Sequence, residues 1–262
     1  MGVVNVTPDS FSDGGQWFEP EAAIAHGHQL VTEGAAILDV GGESTRPGAD
    51  PVSEDEELRR TIPVVEALAP HVRVSIDTRK ATVARQAVRA GASLINDVSA
   101  TLWPVAAELE VGWVAMHMQG TPQTMQAAPT YEDVVDEVAA FLERRARRAT
   151  DAGVSEVWVD PGFGFGKTPA HNLALLHHLD RVVALGWPVV VGFSRKTTLG
   201  RLLAASDARV LASSPTSVEV TPPDDRLEGS IATEVWALQR GAAMIRAHDV
   251  RAAVHAARVV AA

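Results

Sequence analysis

Val3-Val4-Asn5-Val6-Thr7-Pro8-Asp9-Ser10-Phe11-Ser12-Asp13-Gly14-Gly15 starts as an apolar run and opens into a polar loop. The apolar part reads as the end of a buried strand. The polar part carries a carboxamide, two carboxylates, three hydroxyls and one aromatic, Phe11, none of which a strand end needs for structure. That mixture suits a mobile loop that closes over an active site.

The same arrangement recurs along the chain. Further β-rich runs fall at 36–40, 72–76, 93–95, 113–116, 156–159, 188–191 and 243–245. Amphipathic segments lie between them. Leu58, Ile62, Val65 and Ala69 follow helical spacing, as do Val135, Val138, Leu142 and Ala146. Eight strand–helix units in 262 residues give roughly 33 residues each, the size of a βα repeat. The runs read as apolar throughout, as in a parallel sheet buried on both faces. The expected fold is α/β, a single (β/α)8 TIM barrel spanning residues 1–262, with no second domain. Residues 206–225 are rich in Ser, Pro, Thr and Asp and are expected to form a flexible loop on the barrel's outer side.

Each predicted strand delivers a chemically capable residue at its C-terminal end. They are Asn5, Asp39 with Glu43, Asp77, Asn96, His117, Asp160, Ser194 with Lys196, and Arg246 with His248. Helix capping explains an isolated Asp or Asn. It does not explain all eight positions, which a TIM barrel gathers at one mouth.

Composition narrows the function. The chain is 46% hydrophobic and 21% charged, an ordinary globular balance. It has no cysteine, which excludes disulfides, thiolate metal sites and thiol nucleophiles. No apolar run reaches the ~18 residues of a membrane span, and no basic-then-apolar leader opens the sequence. A soluble, cytoplasmic protein is expected. The net charge is −10 and no basic block interleaves with aromatics, which argues against nucleic acid. An anionic substrate would need local positive charge from Arg, Lys, helix N-termini or a metal. The histidines form no zinc pattern: His26 and His28 face apart on a helix, and His71, His171 and His255 read as surface positions. Gly166-Lys167-Thr168 ends like a phosphate-binding P-loop, but Pro161 occupies the motif's first glycine position.

The motifs, in order, are the 5–15 loop, Asp39-Val40-Gly41-Gly42-Glu43-Ser44-Thr45-Arg46-Pro47-Gly48-Ala49, Ser75-Ile76-Asp77-Thr78 and Ile95-Asn96-Asp97-Val98-Ser99. After them come Met116-His117-Met118-Gln119-Gly120, Asp160-Pro161-Gly162-Phe163-Gly164-Phe165-Gly166-Lys167, Gly192-Phe193-Ser194-Arg195-Lys196 and Arg246-Ala247-His248-Asp249-Val250. In content and order the chain resembles the dihydropteroate synthase family over essentially its whole length. Two departures stand out: the segment after Ser99 runs almost directly into a helix, and the 206–225 stretch is long.

The resemblance implies a pterin-binding transferase of folate synthesis. Such enzymes join p-aminobenzoate to 6-hydroxymethyl-7,8-dihydropterin diphosphate and release pyrophosphate. It implies Asp77, Asn96 and Asp160 as pterin-binding positions, with Lys196 donating to the pterin from the facing strand. Met116 fits either the ring face or the core. Arg246 and His248 match the diphosphate-binding pair, and Asn5 matches the Mg²⁺ ligand. Phe165, Phe11, Thr45 and Pro47 match the walls of the aminobenzoate slot. Phe163 fits a core position under its loop equally well. Arg46 would pair with phosphate or carboxylate. Ser194, at an expected helix start, would receive the aminobenzoate carboxylate, the group that sulfonamide inhibitors mimic. A homodimer through outer helices is implied. Two other functions are compatible with parts of the pattern. A pterin methyltransferase acting on a corrinoid protein would share the pterin pocket but needs neither the two lids nor residues 194–196. A catalytically silent pterin-binding paralogue would be expected to have lost lid or pocket residues.

Overall fold

The computed structural model describes residues 1–7, 19–210 and 219–262; the first lid, with Phe11, lies outside the described residues. The elements run β1 (Gly2–Asn5), α1 (Pro20–Thr32), β2 (Ile37–Gly41), α2 (Glu54–Leu68), β3 (Arg73–Asp77) and α3 (Ala81–Arg89). Then come β4 (Leu94–Asp97), α4 (Trp103–Leu109), β5 (Gly112–Met116), α5 (Val134–Asp151), β6 (Val157–Asp160), α6 (Pro169–His177) and α7 (Leu179–Val183). The chain closes with β7 (Val190–Val191), α8 (Thr197–Val210), α9 (Leu227–Gln239), β8 (Met244–Ile245) and α10 (Val250–Val260). Each of the eight predicted strands overlaps an observed one.

β1 to β6 pair in parallel in sequence order, and β7 pairs with β8. Bridges between Val159 and Val189 and between Gly2 and Ala247 link the two sheets on both sides, so the ring is complete. The helices surround it, with local chemistry fixing their starts. Asp133 accepts from the backbone N–H groups of Val135 and Asp136 at 2.8 and 2.9 Å and so caps α5. Four acidic residues, Glu54 to Glu57, occupy the first turn of α2, where the helix dipole favours negative charge.

The two faces of the strands do different work. Leu38, Val40, Ile76, Ile95, Trp113, Ala115 and Val159 pack in one core with Val64, Leu68, Val83, Leu142 and Leu175 from the helices. Ile37, Leu94, Val114 and Val190 meet each other across the barrel, with Trp158 and Met244 against them. Two residues farther along the same strands, at the period that keeps a side chain on one face, come Asp39, Asn96, Met116, Asp160 and Arg246. The interior is thus an apolar plug below a polar layer. Reading the strands as uniformly apolar holds for the outward face and the lower interior, not for the upper interior.

The 206–225 stretch also departs from expectation. Its first five residues continue α8 to Val210, and Pro223–Asp225 form a single 3-10 turn. Residues 211–218 lie outside the described set. Directly after the stretch, Arg226, 2% exposed, donates to the carbonyls of Thr221 and Arg195 at 2.7 Å each. A buried guanidinium needs such acceptors. They tie this end of the segment to the loop after β7 at the mouth.

Glu234 on α9 is 2% exposed, and its Oε2 has no hydrogen-bond partner. Burial, reinforced by Asp249, pushes its carboxyl up to about 8. A folded state that holds this proton more tightly than the unfolded chain loses stability as pH rises from the unfolded value towards 8. Glu234→Gln is therefore expected to melt higher than the parent at pH 8, by about 3 °C or more, with the gain vanishing near pH 4. Thermal melts across that range check it; an equal shift at both ends would mean the proton is not involved.

Candidate active site at the barrel mouth

The polar layer is one connected network. Asp39, fully buried, accepts from Asn96 Nδ2 at 2.9 Å and from Arg246 Nε at 2.6 Å. Arg246 Nη2 donates to Asp77 at 2.9 Å. A single guanidinium from the end of β8 therefore reaches past β1 to join β2 to β3. Burial works against the charge on Arg246, but Asp39 and Asp77 hold it firmly protonated. Two of its five N–H groups are engaged in these bonds, which leaves the others for a ligand. Burial, with Asp39 beside it and Arg246 opposing, pushes the Asp77 carboxyl up to about 7.

Asp160 closes β6 and is 7% exposed. Its Oδ1 accepts from the Gly162 N–H at 2.7 Å, so it also shapes the turn after β6. Burial raises its pKa, with Lys196 the largest opposing influence. Lys196 donates to the Phe163 carbonyl, and its Nζ lies 4.8 Å from the Phe165 ring centre. Burial lowers its pKa to about 8, while Asp160 supports its charge. Met116 is 4% exposed and sits on the inward face above Val114.

The loop after β7 differs from the sequence expectation. The helix begins at Thr197, so Ser194 lies in the preceding turn rather than at the helix start, and Arg195 adopts φ +57°. The Ser194 hydroxyl accepts from the His248 N–H and bonds His248 Nδ1, both at 3.1 Å. Burial, then Arg246, pushes the His248 pKa well down, so the ring is neutral. Its partner pairing is with Ser194, while Arg246 is committed to Asp39 and Asp77. Arg195 pairs with Asp249 at 2.6 Å.

Thr45 and Arg46 are partly exposed and Pro47 exposed, in the loop after β2. Gly48, at φ +80°, donates its N–H to the Pro122 carbonyl at 3.2 Å, which joins this lid to the loop after β5. The lid's base is anchored by charge. Lys80 bridges Glu43 and Glu57, Arg79 pairs with Glu43 at 2.8 Å, and Thr78 donates to Glu57 at 2.6 Å. Glu43, read as a strand-end chemical group, instead anchors the loop after β2. Its cations could be read in Thr78-Arg79-Lys80, but nothing local pairs that tripeptide with Glu43.

Other strand-end residues have structural partners. His117 Nδ1 bonds Lys167 Nζ at 2.9 Å, and burial lowers the His117 pKa to about 3. Asp97 accepts from the backbone N–H groups of Ser99, Thr101 and Leu102 and from Trp113 Nε1, which organises the short segment after Ser99. Phe163 is 1% exposed and packs on Phe193 with ring centres 4.2 Å apart, the core alternative for that residue. His171 completes the N-terminal cap of α6 and meets Tyr131 at 5.0 Å, so it is not a plain surface position. Asn5 closes β1 and is partly buried, and no described residue bonds its carboxamide. Among the described residues no three His, Asp or Glu side chains gather to hold a metal ion.

The comparisons with known proteins agree with this geometry. Residues 1–248 match the family described as pterin binding enzyme. The dihydropteroate synthase of Haemophilus influenzae is 44% identical over 96% of this chain and 89% of its own length. The Yersinia pestis dihydropteroate synthase, solved with a sulfonamide drug, superposes with a TM-score of 0.90 at 42% identity, covering 100% of this chain and 92% of that one. The Xanthomonas albilineans enzyme, solved with 4-aminobenzoic acid, gives 0.85 at 48% identity, covering 99% and 90%. With a closed parallel barrel, an Asp–Asn–Arg layer at its mouth and matches of this extent, the chain belongs to the dihydropteroate synthases of the pterin binding enzyme family.

Proposed function

We infer that the chain condenses p-aminobenzoate with 6-hydroxymethyl-7,8-dihydropterin diphosphate to give 7,8-dihydropteroate and pyrophosphate. The observation that carries this reading is the convergence of Asp77, Asn96, Asp160, Lys196 and Arg246 on one mouth. A pterin has a donor-rich amidine-like edge and a carbonyl, so it needs acceptors and a cation side by side. Asp160 takes the amidine-like edge, Asn96 and Asp77 complete the clamp, Lys196 donates to the ring and Met116 packs on its face. The C–O bond of the hydroxymethyl carbon breaks with its electron pair leaving on pyrophosphate. The aniline nitrogen then forms the C–N bond and releases a proton. Asp160 stabilises the positive charge that develops on the pterin. The uncommitted N–H groups of Arg246, with the neutral His248 ring two residues on, receive the departing diphosphate. Phe165, Phe11, Thr45 and Pro47 wall the aminobenzoate, with Ser194 and Arg46 near its carboxylate, and closure of the lids keeps water out.

The donor set fits Mg²⁺ as an ion arriving with the diphosphate. Asn5 offers one hard oxygen, and this ion keeps waters and phosphate oxygens as its other ligands. Bound there, it would offset the diphosphate charge. Excess EDTA is expected to stop turnover. Asn5→Ala is expected to weaken pterin diphosphate binding ~10-fold while binding of the bare pterin stays unchanged, by calorimetry. Full turnover in EDTA would refute the metal role.

The function is tested by pyrophosphate release with and without p-aminobenzoate. Release that depends on p-aminobenzoate and is inhibited by a sulfonamide in competition with it supports the reading. Release indifferent to p-aminobenzoate overturns it. The reading includes a homodimer through outer helices, supported by the exposed apolar side chains Leu173, Leu202 and Trp236 on the neighbouring helices α6, α8 and α9. Sedimentation of the purified protein tests that part.

A further inference from the structure

Lys167 has no part in the reaction derived above, yet it is a deeply buried cation beside the mouth. It is 2% exposed. Its Nζ lies 2.9 Å from His117 Nδ1 and 2.9, 3.0 and 3.3 Å from the carbonyl oxygens of Gly162, Phe165 and His117. Four acceptors surround three N–H groups, so the ammonium is fully satisfied and leaves no donor for a ligand. Its nearest partners lie on two different loops, the one after β5 and the one after β6.

Those loops interlock with no spare room. A Cβ on Gly162, at φ +67°, would fall 1.9 Å from the His117 carbonyl oxygen, and one on Gly166, at φ +62°, would fall 2.4 Å from that of Gln119. Three further bonds hold the same loop from outside: Tyr131 Oη donates to the Gly166 carbonyl at 2.7 Å, Gln126 Nε2 to the Gly164 carbonyl at 2.6 Å, and the Gly164 N–H to Asn172 Oδ1 at 2.8 Å. The loop in turn presents two groups to Lys196, the Phe163 carbonyl and the Phe165 ring. A loop this rich in glycine has many paths open to it; the ammonium selects one by drawing three carbonyls to a single point.

We propose that Lys167 is a positioning residue that sets the aminobenzoate side of the site, by fixing the loop of residues 162–166 so that Phe165 and the Phe163 carbonyl meet Lys196. This rests on the assignment of Phe165 to that slot. The pterin side is held mainly by Asp77, Asn96 and Asp160, which lie at strand ends; the Asp160–Gly162 bond and Lys196 link that side to the loop. Loss of the ammonium should therefore act much more on p-aminobenzoate than on the pterin.

The test is steady-state kinetics of the whole chain with each substrate varied, for Lys167→Met and for Gln126→Ala, beside thermal melts. Gln126 is exposed, so its variant folds even where the buried substitution does not. For Lys167→Met the KM for p-aminobenzoate is expected to rise ~10-fold or more, with the KM for the pterin diphosphate changed less than ~3-fold. Gln126→Ala is expected to move the same constant in the same direction by a smaller factor. A general loss of folding would instead lower kcat and melting temperature and leave both KM values alone. Equal rises in both KM values, or an unchanged p-aminobenzoate KM in whichever variant folds, overturn the proposal. Wild-type enzyme that does not consume p-aminobenzoate overturns the underlying function instead, so the two failures are distinct.

Discussion

Asp160→Asn is expected to lower kcat/KM by more than ~100-fold, about 2.7 kcal/mol of transition-state stabilisation, while the protein melts close to the parent. The substitution is informative because Asp160 does two things. Its Oδ1 accepts from the Gly162 N–H at 2.7 Å, and an asparagine carbonyl can keep that bond. Asparagine cannot keep the negative charge or the second acceptor. Its NH2 group would face the donor edge of the pterin, setting donor against donor. The cation developing during C–O cleavage would lose its nearest anion. Lys196, whose charge Asp160 supports, would also become easier to deprotonate. Kinetics combined with a melting curve separate the roles. Wild-type kinetics in a folded variant would reduce Asp160 to a turn-forming residue.

Arg246→Met should be the more disruptive change, because it acts on both stability and chemistry. It leaves Asp39, fully buried, and Asp77 facing each other without their shared counter-ion. Removing one partner of a buried ionic cluster costs about 3–5 kcal/mol. Asp77 sets the sign of the pH dependence. The Asp77 pKa is already raised to about 7 with Arg246 present, and without it must rise further. A carboxyl whose folded pKa exceeds its unfolded value confers stability at low pH that is lost as pH rises. The variant should therefore fall furthest below the parent near pH 8 and recover part of the deficit near pH 5. Turnover should fall more than ~100-fold even where the variant is folded, since the guanidinium is the group proposed to receive the departing diphosphate. Melts at the two pH values and activity at the lower one check both parts. A deficit that does not change with pH would mean that Asp39 and Asp77 are not paired through Arg246.

Much of this was legible in the residues. Short β-rich runs separated by amphipathic segments specify a parallel barrel, because only buried strands can be so apolar and only covering helices can bury them. The polar residue at each strand end marks the mouth, since successive strands of a parallel barrel all end on the same side. Asn5, Asp77, Asn96, Asp160 and Arg246 could be named from that rule and from the family motifs alone.

Partnership was not legible, because it depends on which side chains meet across the ring. Asp39 and Arg246 are 207 residues apart, and no local pattern pairs them. The same holds for Glu43 with Lys80, and for Lys167, whose sequence context suggests a phosphate loop but whose ammonium is consumed by backbone carbonyls. Ser194 looked like a helix start, but Arg195 at positive φ delays the helix and turns the hydroxyl to His248. Sequence by itself determined the repeat, the barrel and the row of chemical residues, since these arise from periodicity and from one residue type per position. Only the tertiary structure decided which of those residues keep polar groups uncommitted at the mouth and which hold the mouth in shape. That choice rests on long-range burial and on buried charges finding counter-charges, and both are set by the closed ring rather than by any stretch of chain.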